Sequence, residues 1–186
     1  MLRVHTGDTL AGRRGDNRQM PSVTTAPIPF SLRPAQVNDV TAIVGLIREL
    51  ADFEQLSHLV KVTPEILRPQ LFGERPMAEA MVAEVDGKIV AFALFFSNFS
   101  TFLGLPGLYL EDLYVQPAQR QLGIGTALLT RLAQLAVERG CGRFEWSVLD
   151  WNVNAINFYE KMGATVMPEW RICRVTGDAL QAYAAR

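Results

Sequence analysis

The chemistry-bearing residues of this chain gather in its second half. Arg120-Gln121-Leu122-Gly123-Ile124-Gly125-Thr126 runs straight into the apolar stretch Ala127-Leu128-Leu129. Glycines there let backbone N–H groups approach an anion closely, and a helix starting at that point adds partial positive charge. The expected cargo is a pyrophosphate, held by the amides of Gln121 to Thr126 with Arg120 adding charge. Leu128 stands where a dinucleotide fingerprint needs its third glycine, and no Gly-Lys-Ser/Thr follows, so neither of those phosphate loops is present. Just upstream, Glu111 and Asp112 interrupt the apolar run from Leu108 to Val115. A carboxylate buried in a central strand is costly without a partner or a task. Consecutive strand residues face opposite ways unless a bulge intervenes, so Glu111 is expected on the side of Leu113 and Asp112 on the other. Downstream, Asn152, Ile156 and Tyr159 share one helix face by their spacing. Read alone, Tyr159 is an amphipathic core residue. Its phenol, with a pKa of about 10, is neutral at pH 7 and able to give up a proton.

These residues need elements to hold them. Leu108 to Val115 reads as a buried strand, and the helix after the glycine loop presents Leu128, Leu132 and Leu135 before stopping at Gly140. Arg143 to Leu149 reads as the next strand. Asn152 caps a short helix closed at Gly163, with Ala155, Phe158 and Met162 filling core. Earlier, Phe30 to Arg33 opens the domain as a strand. Asn38-Asp39 caps a helix carrying Ile43, Leu46, Ile47 and Leu50, which ends near Phe53-Glu54-Gln55. Thr63-Pro64-Glu65 starts a second helix that stops before Gly73. Ala80 to Val85 and Ile89 to Phe96 form a hairpin through Asp86-Gly87, and their near-continuous apolar runs predict a sheet covered on both faces. Thr101 to Pro106 is a connection. Trp170 to Val175 is expected as a last strand and Asp178 to Ala185 as a terminal helix. The order predicts an α/β (α+β) domain over 30–186, with a central mixed, largely antiparallel twisted sheet flanked by helices on both faces. Residues 1–29 read as an extended or disordered leader, with Met20 an alternative start and Arg13, Arg14 and Arg18 solvated.

A length of 186 residues, 49% of them hydrophobic and 20% charged, suits one soluble domain with a sizeable core. No apolar run approaches the roughly 18 residues of a spanning helix. With a net charge of −1, nothing global invites nucleic acid or an anionic membrane, and a cytoplasmic location is expected. Cys141 and Cys173 read as buried reduced thiols, and the lone His5 and His58 predict no metal site.

Arg-x-x-Gly-x-Gly directly after a strand resembles the acetyl-coenzyme A loop of the GNAT acetyltransferase superfamily. The likeness extends to Asp150-Trp151-Asn152, Asn157-Phe158-Tyr159 and Gly163-Ala164. Tyr109-Leu110-Glu111-Asp112 and Trp151-Asn152…Ile156-Asn157-Phe158-Tyr159 are similar to the diamine (spermidine/spermine) N-acetyltransferase branch. Leu32-Arg33-Pro34-Ala35, Ile47-Arg48-Glu49-Leu50-Ala51, Phe72-Gly73-Glu74 and Val82-Ala83-Glu84-Val85 echo that branch too. The resemblance spans roughly Phe30 to the C-terminus.

It implies the GNAT fold and acetyl transfer from acetyl-coenzyme A to a primary amine of a small molecule, such as a diamine, a polyamine or thialysine. Attack is expected to be direct, in a ternary complex, because no Cys-His pair is evident for a covalent intermediate. The cofactor would meet Leu113, Tyr114 and Val115, then Arg120 to Thr126 (Arg120, Gln121, Leu122, Gly123, Ile124, Gly125, Thr126), with Asn152 and Tyr159. Tyr159 is implied as general acid toward the departing thiolate and Glu111 as base through water. Phe53, Glu54, Glu111, Glu145, Trp146 and Ser147 match the branch's substrate contacts, and Glu54, Asp150 and Glu169 are candidates for a distal ammonium. Phe53 stands where the branch has a tyrosine and Trp146 also departs from it, which weakens polyamine preference more than amine acetylation. Asp112 reads equally as a hydrogen-bonded structural acid. A homodimer is implied. The competing readings are a protein N-terminal or lysine acetyltransferase and a coenzyme A-binding regulator without turnover.

Overall fold

The computed structural model describes residues 29–186. The expected leader over 1–29 lies almost wholly outside them. Five strands form one sheet in the order β1-β2-β3-β4-β5: β1 Ser31–Pro34, β2 Glu79–Val85, β3 Lys88–Ser100, β4 Leu105–Val115 and β5 Arg143–Trp146. The first three pairings, β1–β2, β2–β3 and β3–β4, are antiparallel, while β4 and β5 run parallel. A parallel pair needs a crossover, and the helix α3, Ile124–Glu138, supplies it.

The near-continuous apolar strands are explained by helices on both faces. On one side α1 (Val40–Phe53) and α2 (Pro64–Phe72) bury Val40, Ile43, Val44, Leu67 and Leu71 against Val82, Phe92 and Tyr114. On the other, α3 buries Ile124, Leu128 and Leu132 against Ala83, Ala91, Ala93, Phe95, Leu108 and Leu110. Phe92 and Phe95 are consecutive anchors of the two cores, and each contributes on the order of 2–3 kcal/mol by leaving water. The β2–β3 turn takes left-handed backbone at both Asp86 (φ 50°) and Gly87 (φ 73°), the conformation a tight hairpin demands.

Local chemistry departs from expectation at the first helix. Asp39 occupies the position before α1, but its carboxylate does not cap that helix. It accepts from Arg33 at 2.5 and 3.0 Å and from the Gln36 N–H at 2.6 Å. Arg33 also reaches Glu84 at 2.8 Å, so this cluster ties β1 to β2 and to the start of α1. Hydrogen bonds from Arg33, helped by the Gln36 N–H and by the guanidinium charge, hold the Asp39 carboxyl below its ordinary range. Thr63 does cap α2, accepting from Ile66 N–H at 3.4 Å.

Two expected strands change. β5 stops at Trp146 instead of continuing to Leu149, and β4 begins at Leu105, ahead of Leu108. Trp170 to Val175 forms no strand: Trp170, Ile172 and Val175 stay exposed, because alternating apolar residues make no ladder without a neighbouring strand. The chain closes with α4 (Val153–Lys161) and α5 (Gly177–Ala184). Met162, expected in the core, is 39% exposed at the end of α4.

Candidate active site

The site opens where the sheet splits. Pairing between β4 and β5 ends at Leu110 opposite Trp146. Beyond that point Glu111 to Val115 and Ser147 to Leu149 diverge, and both stretches line a cleft of about 1060 Å³. The end of α1, the glycine loop and one face of α4 supply the remaining walls.

The loop is built to present amides. Gln121 (φ 68°) and Gly123 (φ 83°) both adopt left-handed backbone, and α3 begins with the Ala127 N–H donating to the Gly123 carbonyl at 2.9 Å. The N–H groups of Gln121 to Thr126 have no hydrogen-bond acceptor among the described residues. A run of unpaired amides at a helix start is an anion cradle. A non-glycine residue at positive φ costs of order 1 kcal/mol or more, and such strain is found where function demands a conformation. Arg120, Gln121, Gly123, Ile124, Gly125 and Thr126 line the cleft; the Leu122 side chain does not. Arg120 Nε donates to the Val115 carbonyl at 3.1 Å, and its guanidinium lies over the rings of Phe53 (5.3 Å) and Tyr114 (5.8 Å).

The carboxylates sit closer together than simple alternation predicts. Phe95 pairs with Leu110 and Leu94 with Asp112, so β4 carries a bulge at Glu111. Leu110 and Leu113 both pack into the α3-side core, while Glu111 and Asp112 both line the cleft. The expected alternation is interrupted, because a bulge does intervene, and Leu113 lines the cleft together with both acids. Burial pushes the Asp112 carboxyl up to about 6, with the neighbouring charges of Glu111 and Glu54 adding to the rise. Burial also raises Glu54. Tyr159 is raised above the ordinary phenol value by burial and, less, by Glu54. Trp146 meets its ring edge-on at 5.1 Å, and Phe158 lies 5.5 Å away.

Other expected residues divide. Asn152 caps α4, accepting from Ala155 N–H at 3.2 Å, and lines the cleft as well. Phe53, Glu54 and Ser147 line it, the last bonded to the Tyr109 hydroxyl at 2.9 Å. Glu145 is committed elsewhere, to Asn98 at 2.8 Å and Arg143 at 3.1 Å, and Trp146 packs behind Tyr159. Neither reaches the cleft wall, and Asp150 and Glu169 are exposed away from it. Ile172 and Arg174 do line it, which no sequence signal indicated, because they lie in the segment expected to be a strand. No cluster of His, Cys, Asp or Glu suited to a metal occurs among the described residues.

A split strand pair, a glycine loop of free amides and an acidic wall meet in one cleft. The sequence pattern of the Acetyltransferase (GNAT) family matches residues 45–164. The chain belongs to the GNAT acetyltransferase family. This GNAT protein is 38% identical to the L-ornithine N5-acetyltransferase NATA1 of Arabidopsis thaliana, over 81% of the chain and 86% of that protein. It is 39% identical to the mouse thialysine N-epsilon-acetyltransferase, over 83% of the chain and 97% of the relative. A human spermidine/spermine N(1)-acetyltransferase-like protein is 34% identical over 81% of the chain, though that match covers only 23% of the longer protein. These relatives agree with the diamine N-acetyltransferase-like branch, and the GNAT chain is an N-acetyltransferase. Among solved structures, an integron cassette protein of V. cholerae superposes with a TM-score of 0.72 at 24% identity, covering 85% of the chain and 99% of that structure. An aminoglycoside acetyltransferase from a soil metagenome gives 0.68 at 21%, covering 80% and 96%. Both show the shared fold.

Proposed function

We propose that this enzyme transfers the acetyl group of acetyl-coenzyme A to a primary amine of a small cationic molecule, by direct attack in a ternary complex. The observation that carries the reading is the polarity of the cleft. Unpaired amides of Gln121 to Thr126 and the carboxylates of Glu54, Glu111 and Asp112 line the same cleft. The amides suit a pyrophosphate. Burial raises the Glu54 and Asp112 carboxyls, neighbouring charge adds to the rise at Asp112, and an ammonium placed among them offsets that cost. That relatives act on ornithine and thialysine supports a compact substrate with more than one amino group.

Acetyl-coenzyme A, held by the loop and by Leu113 to Val115, supplies the thioester. Only a neutral amine attacks, and an alkylamine is about a thousandth neutral at pH 7. Glu111 takes the proton through water. The amine nitrogen then bonds the thioester carbonyl carbon, backbone N–H groups of Leu113 to Val115 steady the oxygen, and the C–S bond breaks. The Tyr159 hydroxyl, kept protonated by its burial, gives its proton to the departing thiolate, and the proton lost by the acylated nitrogen restores the phenol.

The reading includes a homodimer, since Trp170, Ile172 and Tyr183 leave large apolar surfaces exposed. It places the enzyme in the cytoplasm, in keeping with two free thiols, of which Cys141 is half-buried and Cys173, expected to be buried, is exposed because its segment forms no strand. Release of free thiol from acetyl-coenzyme A is the test, with ornithine, thialysine, putrescine, spermidine and a lysine-bearing peptide as acceptors. Efficient release with the small amines supports the proposal. Preference for the peptide favours a protein acetyltransferase, and coenzyme A binding without release from any amine favours a regulator.

A further inference from the structure

Arg120 belongs to the glycine loop and Phe53 to the end of α1, yet the Arg120 guanidinium carbon lies 5.3 Å from the centre of the Phe53 ring. On its other flank Phe53 meets Trp151, in the loop between β5 and α4, with ring centres 6.0 Å apart and planes tilted by 50°. The row Trp151–Phe53–Arg120 thus joins two walls of the cleft, the end of α1 and the glycine loop, to Trp151 beside Glu54 and Gln55. Arg120 is fixed at its root by the Val115 carbonyl and by the Tyr114 ring. The residue after Phe53 is Glu54, which lines the cleft with Glu111 and Asp112.

We propose that Arg120 positions Phe53, and that this contact couples anion binding at the loop to amine binding at the end of α1. The proposal rests on the acetyl-coenzyme A reading above. A guanidinium offers two surfaces at once: its N–H edge bonds phosphate oxygens while its flat face stacks on a ring. An anion that fixes the edge therefore fixes the face, and with it Phe53 and the start of the turn carrying Glu54. Lysine would keep the charge and lose the plane.

A double-mutant cycle tests the contact, using Arg120→Lys, Phe53→Leu and the pair. Calorimetry gives coenzyme A affinity; thiol release at saturating acetyl-coenzyme A gives KM and kcat for the amine. Arg120→Lys should raise the amine KM by about 2- to 5-fold with kcat little changed, the range expected for one exposed cation–π contact. In the Phe53→Leu background that increment should vanish, while Phe53→Tyr, which retains a ring, should preserve it. Coenzyme A affinity should show the same non-additivity. Equal effects of Arg120→Lys in all backgrounds would overturn the proposal. A protein that binds coenzyme A but turns over no amine contradicts the functional reading alone, and the affinity cycle still decides the contact.

Discussion

Glu111 and Asp112 are consecutive in β4 and line the same cleft, and a bulge between Leu110 and Asp112 interrupts the ladder at that point. The cost of that proximity falls on Asp112. Its folded value of about 6 exceeds the ordinary 3.8, so the folded protein holds this proton more tightly than the unfolded chain does. The stabilising contribution is complete below the unfolded value and is lost as pH rises through about 6. At pH 8 the ionised group therefore costs about 2–3 kcal/mol. Asp112→Asn should raise stability to urea by that order at pH 8 and by little at pH 4. An equal gain at both pH values would assign the effect to packing instead.

Glu111 sits on the bulge, exposed at the cleft. Glu111→Gln should lower kcat/KM for the amine and change the shape of its pH profile, while coenzyme A affinity stays within about 2-fold. Calorimetry beside a pH–rate series separates the two effects. An unaltered profile removes Glu111 from the mechanism.

Tyr159→Phe deletes one hydroxyl and keeps the ring that packs against Trp146 and Phe158. Melting temperature should hardly move. The chemical step, followed by rapid quench, should slow by about 100-fold or more, the usual worth of a positioned proton donor. A rate equal to the parent's would return Tyr159 to a packing role.

Gly123 carries a left-handed φ of 83° with open space around it, so a side chain there is strained by backbone conformation, not by crowding. Gly123→Val should cost about 1–2 kcal/mol or more and weaken coenzyme A binding at least about 10-fold by turning loop amides away. Gly125→Ala is the contrast for stability: the added carbon would meet Phe158 at an ordinary 3.7 Å, and unfolding should shift by under about 0.5 kcal/mol.

Strong local periodicity made most of the fold legible. The α1 and α3 stripes, the Asp86-Gly87 turn and the Thr63 and Asn152 caps all formed where residue type and spacing put them. The glycine loop was legible for the same reason, since its conformation is local. What failed depended on partners. Asp39 has the chemistry of a helix cap, but Arg33, six residues away, offered a stronger hydrogen-bonded ion pair. Trp170 to Val175 has strand-like residues and no strand beside it. Glu145 looked available because sequence does not show Asn98 and Arg143 closing around it. The bulge at Glu111 is a one-residue register shift that the alternation of residue types does not encode.

The most direct test of the account is the fate of the acetyl group. Wild-type enzyme would be given acetyl-coenzyme A labelled in the acetyl carbons, with ornithine or thialysine, and the products analysed by mass spectrometry. The account predicts label on a side-chain nitrogen of the amine, in step with free coenzyme A. Label that stays on coenzyme A, or that appears on the protein and never on the amine, would contradict it.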